Sequence, residues 1–216
     1  MILLSCAKLP EGISKSELAS LTKAKLPSKA NLGYIDALEQ KKNDLSACES
    51  LYALNLLCDM IACLPVPTSE LILSRGKHGK PCFLNSTLKF NLSHSRGFVA
   101  CAVSDSGEVG VDVEAALPSP DRAKKLAERF FDPECRKAVE NDPSLFARLW
   151  SEKEATSKFF GENLSEFLEN EQKLSTDGDN TQESQNVSLH RFSFCKIPVT
   201  LCTTRDFSTI TFTCST

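Results

Sequence analysis

"LKFNLSHSRGFVACAVSDSGEVGVDVE", residues 88–114, decides the fold class. Its apolar residues alternate with small and polar ones in two β-rich stretches, Phe98 to Val103 and Val109 to Glu114. The "SDSGE" between them has the chemistry of a tight turn and predicts a hairpin connection. Along "VGVDVE" a strand's period of two puts Val109, Val111 and Val113 on one side and Gly110, Asp112 and Glu114 on the other. Two carboxylates on one strand face stand about 6–7 Å apart. At an effective dielectric near 20 they repel by about 2 kcal/mol. A hard cation such as Mg²⁺ would relieve that repulsion and leave coordination positions for phosphate and water. The solvent side of an edge strand fits the same alternation equally well.

Working outward, "MILLSCAKL" reads as a first strand, and Ser16 to Lys25 has helical spacing that Pro27 interrupts. Asp44 to Leu64 is the strongest helix signal: Leu51, Leu54, Leu57, Cys58 and Ile61 recur at steps of three and four, and Pro65 and Pro67 end it. "ELILSRGKHGKPCFLN" reads as strand, glycine turn and short strand. Beyond "AALPSP" the chain turns helical, with a break at Asp132-Pro133 and a further helix over Asp142 to Gly161 closed by Gly161. A weak strand and a polar loop near 169–187 precede two closing strands, "VSLHRFSFCKI" and "TITFTCS". This order predicts an α+β fold of two similar halves, 1–105 and 106–216, meeting near Ser104 to Glu108.

A chain of 216 residues, 41% apolar, can bury a sizeable core. With 25 basic against 28 acidic residues it lacks the basic excess of nucleic-acid binders. Its ten cysteines include no CxxC pair, and several sit among apolar neighbours, as in "FVACAV". Such thiols behave as small hydrophobes in a reducing compartment. The three histidines, His78, His94 and His190, lie near no cysteine pair, so zinc is not supported. No secretory signal opens the chain, and no apolar run approaches the roughly 20 residues of a membrane span. The expectation is a cytoplasmic protein with no nucleic-acid or membrane partner.

Three further constellations carry possible chemistry. In "WSEKEATSK" (Trp150 to Lys158), Glu154 and Lys158 share a helix face, while Lys153 points about 100° away. They form either an ordinary surface ion pair or a base beside a phosphate contact. "FNLSHSRG" sets His94 between Ser93 and Ser95, a donor cluster suited to phosphate, although a lone histidine also serves structure. "RGKHGKPCF" joins Arg75, Lys77, His78 and Lys80 to a proline turn, a cradle for an anion or a solvated hairpin, without P-loop spacing.

Read in order, "GKPCF", "FNLSHS", "VGVDVE" and "LWSEKEATSK" resemble the motif series of the 4′-phosphopantetheinyl transferases of the Sfp type. The motifs span roughly residues 44 to 165. The resemblance implies two pseudo-symmetric halves with a coenzyme A cleft between them. It implies an Mg²⁺-dependent transfer of the phosphopantetheine arm of coenzyme A to a serine of an apo acyl or peptidyl carrier protein, releasing adenosine 3′,5′-bisphosphate. Such holo-[acyl-carrier-protein] synthases serve fatty-acid, polyketide or nonribosomal peptide assembly, and members of this length act as monomers. By position, Asp112, Glu114 and Glu154 would hold the metal. Glu154 would assist deprotonation of the serine, and Lys158 would stabilise or protonate the leaving phosphate. Lys153 matches the family's second lysine in the phosphate site. Ser93 and His94 would meet coenzyme A phosphates, with Lys80 and Pro81 along the adenine. The carrier would dock near "RFFDPECRK", with Phe130 and Phe131 either exposed anchors or buried helix faces.

One departure stands out. The family's arginine near the start of the long helix falls where Cys48, Glu49 and Ser50 stand, and no arginine precedes Arg75. Lys41 and Lys42 are candidate replacements; otherwise coenzyme A is held more weakly. That departure keeps a second reading open: a catalytically weak relative that binds coenzyme A or a carrier domain. A different Mg²⁺-dependent phosphoryl-transfer enzyme would explain the acids but not "FNLSHS".

Overall fold

Strand β1 (Ile2–Lys8) starts the sheet in a computed structural model that describes residues 1–168, 187–204 and 210–215. Helices α1 (Lys15–Lys25), α2 (Leu32–Glu39) and α3 (Asp44–Ala62) follow, then the short pair β2 (Leu73–Arg75) and β3 (Pro81–Phe83). Strands β4 (Lys89–Ser95), β5 (Phe98–Ser104) and β6 (Val109–Val113) occupy the centre. Helices α4 (Pro120–Phe130), α5 (Pro133–Asn141) and α6 (Leu145–Phe160) lead to β7 (Val187–Phe194), β8 (Ile197–Thr204) and β9 (Ile210–Ser215). The fold is thus mixed helix and sheet, as expected.

The strands form a four-stranded sheet, β4-β5-β1-β9, a three-stranded sheet, β6-β8-β7, and the β2-β3 pair. β5 runs antiparallel to both β1 and β4, whereas β9 lies parallel to β1. β9 therefore brings the carboxy-terminal end of the chain back to the sheet that opens it.

Alternation along β5 explains the layering. Val99, Cys101 and Val103 face the helices and pack with Leu18, Leu51, Leu54, Leu57 and Ile61. Ala100 and Ala102 face the other way, with Ile2, Leu4 and Cys6, onto Val109, Val111, Val113, Val199 and Leu201 of the second sheet. Each such aliphatic side chain contributes about 1.5–3 kcal/mol when fully buried, and the small alanines let the two sheets approach.

Several expectations are corrected. β5 and β6 do not form a hairpin; the chain crosses at Ser104 to Glu108 from one sheet to the other. The acids of "VGVDVE" are not on an open solvent face: Asp112 is buried with the rest of β6, and Glu114, just past the strand, is half-buried. A helical turn over 164–168, not a strand, precedes the polar stretch predicted near 169–187, which up to residue 186 lies outside the described residues. By length and composition α3 is apolar enough to cross a membrane, contrary to the estimate from the sequence; its Leu51, Leu54, Leu56 and Leu57 lie in the core.

Candidate active site

The edges of the two sheets meet where β4 runs beside β6. Side chains stitch this seam. Asn91 Oδ1 accepts from the backbone N–H of Val111 at 2.8 Å, Ser93 Oγ from Val113 at 3.3 Å, and Ser95 Oγ from Ala115 at 3.1 Å. The period-two polar residues of "FNLSHS" thus stand in for a backbone ladder and satisfy amides that a buried edge would otherwise leave unpaired.

On its other face β6 carries α6. A Cβ on Gly110 would overlap the carbonyl oxygen of Ala155 and the backbone nitrogen of Phe159, so the glycine sets the depth at which α6 sits. Ser151, one turn earlier on that helix, reaches Thr200 of β8 at 3.1 Å. This seating brings Glu154 and Lys158 over Asp112. Gly161, at φ 68°, ends the helix in the left-handed conformation that favours glycine.

Lys158 Nζ lies 2.6 Å from Asp112 Oδ1 and 3.7 Å from Glu154 Oε2. Ser93 Oγ donates to the same Asp112 oxygen at 2.8 Å and also accepts from Lys158. Glu114 Oε1 accepts from Ser95 Oγ at 3.0 Å and from the Ala116 amide at 2.6 Å. Burial, then the charge of Asp112, pushes the Glu154 carboxyl up despite Lys158. Burial also pushes Glu114 up, with Asp112 and Glu154 adding to it against its two hydrogen bonds. Burial alone would push the Lys158 ammonium down, but Asp112, Glu154 and Glu114 together raise it. Three carboxylates around one ammonium leave an excess of negative charge.

A hard divalent cation fits that excess. Asp112 Oδ2 is buried and, among the described residues, has no hydrogen-bond partner, an unused oxygen on the middle carboxylate. As they stand, no three His, Cys, Asp or Glu side chains among the described residues converge closely enough to hold an ion. Lys158 occupies the counter-charge position.

These groups line a cleft of about 340 Å³ with Leu92, Ser93, His94, Ser95 and Trp150. His94 closes its amino-terminal side, with Nδ1 2.9 Å from Glu49 Oε2 and Nε2 3.2 Å from Ser50 Oγ. Of the residues picked out from sequence, Ser93, His94, Asp112, Glu114, Glu154 and Lys158 come together here. Lys80 and Pro81 line a separate cavity with Phe83, Phe90, Glu108 and Phe159. Lys80 Nζ nonetheless reaches the seam from behind, donating to the Lys158 carbonyl at 2.8 Å, to Glu108 at 3.1 Å and to the Val109 carbonyl at 3.3 Å. Lys153 does not line the cleft; its charge acts on Asp132 and Cys135 at the start of α5.

Phe131 is buried and stacks on Phe146 with ring centroids 5.5 Å apart, so it is no exposed anchor. Phe130 is half-buried, edge-on to Trp150 and beneath the Arg129 guanidinium. Sequence reasoning missed Glu49 and Ser50 as partners of His94; its signal for them was an absent arginine. It also missed Trp150 as a wall of the cleft, although the tryptophan opens the "WSEKE" motif.

A family model for the 4′-phosphopantetheinyl transferase superfamily matches residues 108–208, the stretch that supplies β6 and α6. A putative 4′-phosphopantetheinyl transferase of Synechocystis sp. is 35% identical over 118 residues, 51% of this chain and 46% of that protein. The 4′-phosphopantetheinyl transferase HetI of Nostoc sp. is 36% identical over 115 residues, 49% of this chain and 48% of that protein. The 4′-phosphopantetheinyl transferase gsp of Aneurinibacillus migulanus is 32% identical over 110 residues, 49% of this chain and 44% of that protein. The chain spans about half the length of the curated relatives it matches. The likeness read from the motifs is thereby shown.

Proposed function

We propose, from the likeness to 4′-phosphopantetheinyl transferases shown over residues 108–208, that the protein transfers the phosphopantetheine arm of coenzyme A to a serine of an apo acyl or peptidyl carrier protein. The observation that carries this reading is the convergence of Asp112, Glu154, Lys158 and His94 on one cleft. Asp112, Glu114 and Glu154 would hold Mg²⁺, which when bound neutralises charge on the transferring phosphoryl group. The carrier serine loses its proton to Glu154, directly or through water, and its oxygen bonds to the phosphorus that carries the pantetheine arm. The bond from that phosphorus to adenosine 3′,5′-bisphosphate breaks. Burial supports Glu154 in the role of base by raising its proton affinity towards the working range. Lys158, held by Asp112, stabilises or protonates the departing phosphate.

Ser93 and His94 would meet the phosphates of coenzyme A, with Lys80 and Pro81 along the adenine and Lys153 as the second lysine for the phosphates. The protein would work in the cytoplasm as a monomer, divided functionally near residue 105.

Incubation with coenzyme A, Mg²⁺ and apo carriers from fatty-acid, polyketide and peptide assembly should add the phosphopantetheine mass to at least one carrier. No gain on any of them overturns the reading. Coenzyme A binding without any gain would instead support a binding module, which the missing arginine before Arg75 favours. Glu154→Gln should slow transfer about 10²–10⁴-fold while circular dichroism stays unchanged.

A further inference from the structure

Helix α3 places an acid where it controls the cleft histidine. Glu49 is only 4% exposed. One of its oxygens accepts the Gly97 amide of the β4–β5 turn, and the other faces His94 Nδ1 at 2.9 Å. A carboxylate has only acceptors to offer, so this geometry asks Nδ1 to carry a hydrogen. The other ring nitrogen, Nε2, meets Ser50 Oγ at 3.2 Å. That hydroxyl donates its one hydrogen to the Ser46 carbonyl and accepts from Lys41 Nζ, both at 2.8 Å, so a neutral ring with its hydrogen on Nδ1 asks the hydroxyl to turn from Ser46 to Nε2. The charged groups around the ring are Glu49 on α3, Lys41 from the turn before it and Lys158 on α6.

We propose that Glu49 is a positioning residue that fixes the hydrogen of His94 on Nδ1, so that Nε2 faces the cleft and takes up a proton before it can donate to an anion. The proposal rests on the reading that an anionic group of coenzyme A enters beside His94. Burial pushes the imidazole down, with Lys41 and Lys158 adding to it against the pull of Glu49, which favours the neutral form of the free ring. Anion binding is then linked to protonation of Nε2. In Glu49→Gln the amide can turn its NH₂ towards Nδ1, the ring carries its hydrogen on Nε2, and an anion is met with no proton taken up.

Nitrogen-resolved NMR of the His94 ring in the ligand-free protein, and calorimetry of adenosine 3′,5′-bisphosphate in buffers of different ionisation enthalpy at about pH 7, test this. In the wild type, Nδ1 should carry hydrogen on both sides of the titration. Binding should take up more protons than in Glu49→Gln, by as much as about one per ligand. Glu49→Asp should restore part of the difference. A wild-type ring with its hydrogen on Nε2, or equal uptake in wild type and Glu49→Gln, overturns the proposal. If Glu49→Gln fails to fold, the wild-type spectrum alone decides the position of the hydrogen. Failure of the bisphosphate to bind, with Nδ1 protonated in the spectrum, overturns the coenzyme A reading and the proton linkage while leaving Glu49 as the group that orients His94.

Discussion

Lys80 and Lys158 sit at opposite ends of one seam, and both are largely enclosed, with side chains 17% and 26% exposed. Their surroundings differ in kind. Lys80 meets one carboxylate, Glu108, and two backbone carbonyls, and burial pushes its ammonium down. Lys158 meets Asp112 at once and Glu154 nearby, with Glu114 adding charge, and is pushed up in spite of burial. Two lysines from the first and last of the four motifs therefore do different work. Lys80 ties the carbonyl of Lys158 itself, and so the last turn of α6, to the start of β6. Lys158 supplies positive charge where carboxylates are in excess. A motif lysine becomes a candidate for chemistry when its partners leave charge over, not merely when it is buried.

Replacing each lysine should break the comparison in a different observable. Lys158→Met removes the cation from the cleft and should lower the single-turnover transfer rate about 10²–10³-fold, the scale of losing a charge stabiliser of the reacting group. Quenched-flow mass measurement with an apo carrier reads this directly. A rate within a few-fold of wild type would make the Asp112–Lys158 pair structural. The Lys80→Met variant strips partners from Glu108 and two carbonyls, and should lower the unfolding free energy by about 1–3 kcal/mol. Urea titration followed by tryptophan fluorescence measures that, since Trp150 is the single tryptophan and lies on α6. An unchanged urea midpoint would show that Lys80 does not anchor the helix.

Much of this contrast was legible in the sequence, but unevenly. Helix α3 and strands β1, β5 and β6 were readable because their apolar residues keep a clean period. The hairpin at Ser104 to Glu108 was misread because turn chemistry fixes a local reversal and not the strand that pairs; β5 finds β1, about a hundred residues away in sequence, as its neighbour. The helical turn over 164–168 was misread because five residues with three apolar side chains, Leu164, Phe167 and Leu168, distinguish poorly between periods. Asp112, Glu154 and Lys158 were recoverable from spacing, since both a strand and a helix repeat their faces at known steps. The structural task of Asn91, Ser93 and Ser95 was not, because a polar alternation at a sheet edge looks the same whether it meets a ligand or a neighbouring strand. Glu49 was hidden for a related reason: nothing local marks a buried acid whose partner is 45 residues further on.

The smallest effect concerns acid, and it separates the two ends of the seam without touching either lysine. Glu114 and Glu154 are both raised above the ordinary value of 4.5, by burial first and by Asp112 after it. In the window between that value and the raised ones, the folded protein holds protons that the unfolded chain has released. Acidification into the window therefore favours the folded state, and raising the pH through it removes that benefit. Glu108, at the Lys80 end, has the opposite sign: although burial alone would raise it, Lys89 and Lys80 together hold it below 4.5, so its contribution is present above that value and lost in stronger acid. Urea midpoints measured from about pH 7 down to about pH 5 should thus include a rising part that comes from the cleft. Glu154→Gln, which cannot release a proton, should flatten that part. Saturating Mg²⁺ should flatten it too if the carboxylates accept the ion, because a bound cation keeps them ionised in the folded state. A slope equal in wild type and Glu154→Gln would mean that the excess acid of the cleft is already neutralised by Lys158, and that the two ends of the seam differ only in which carboxylates their lysines hold.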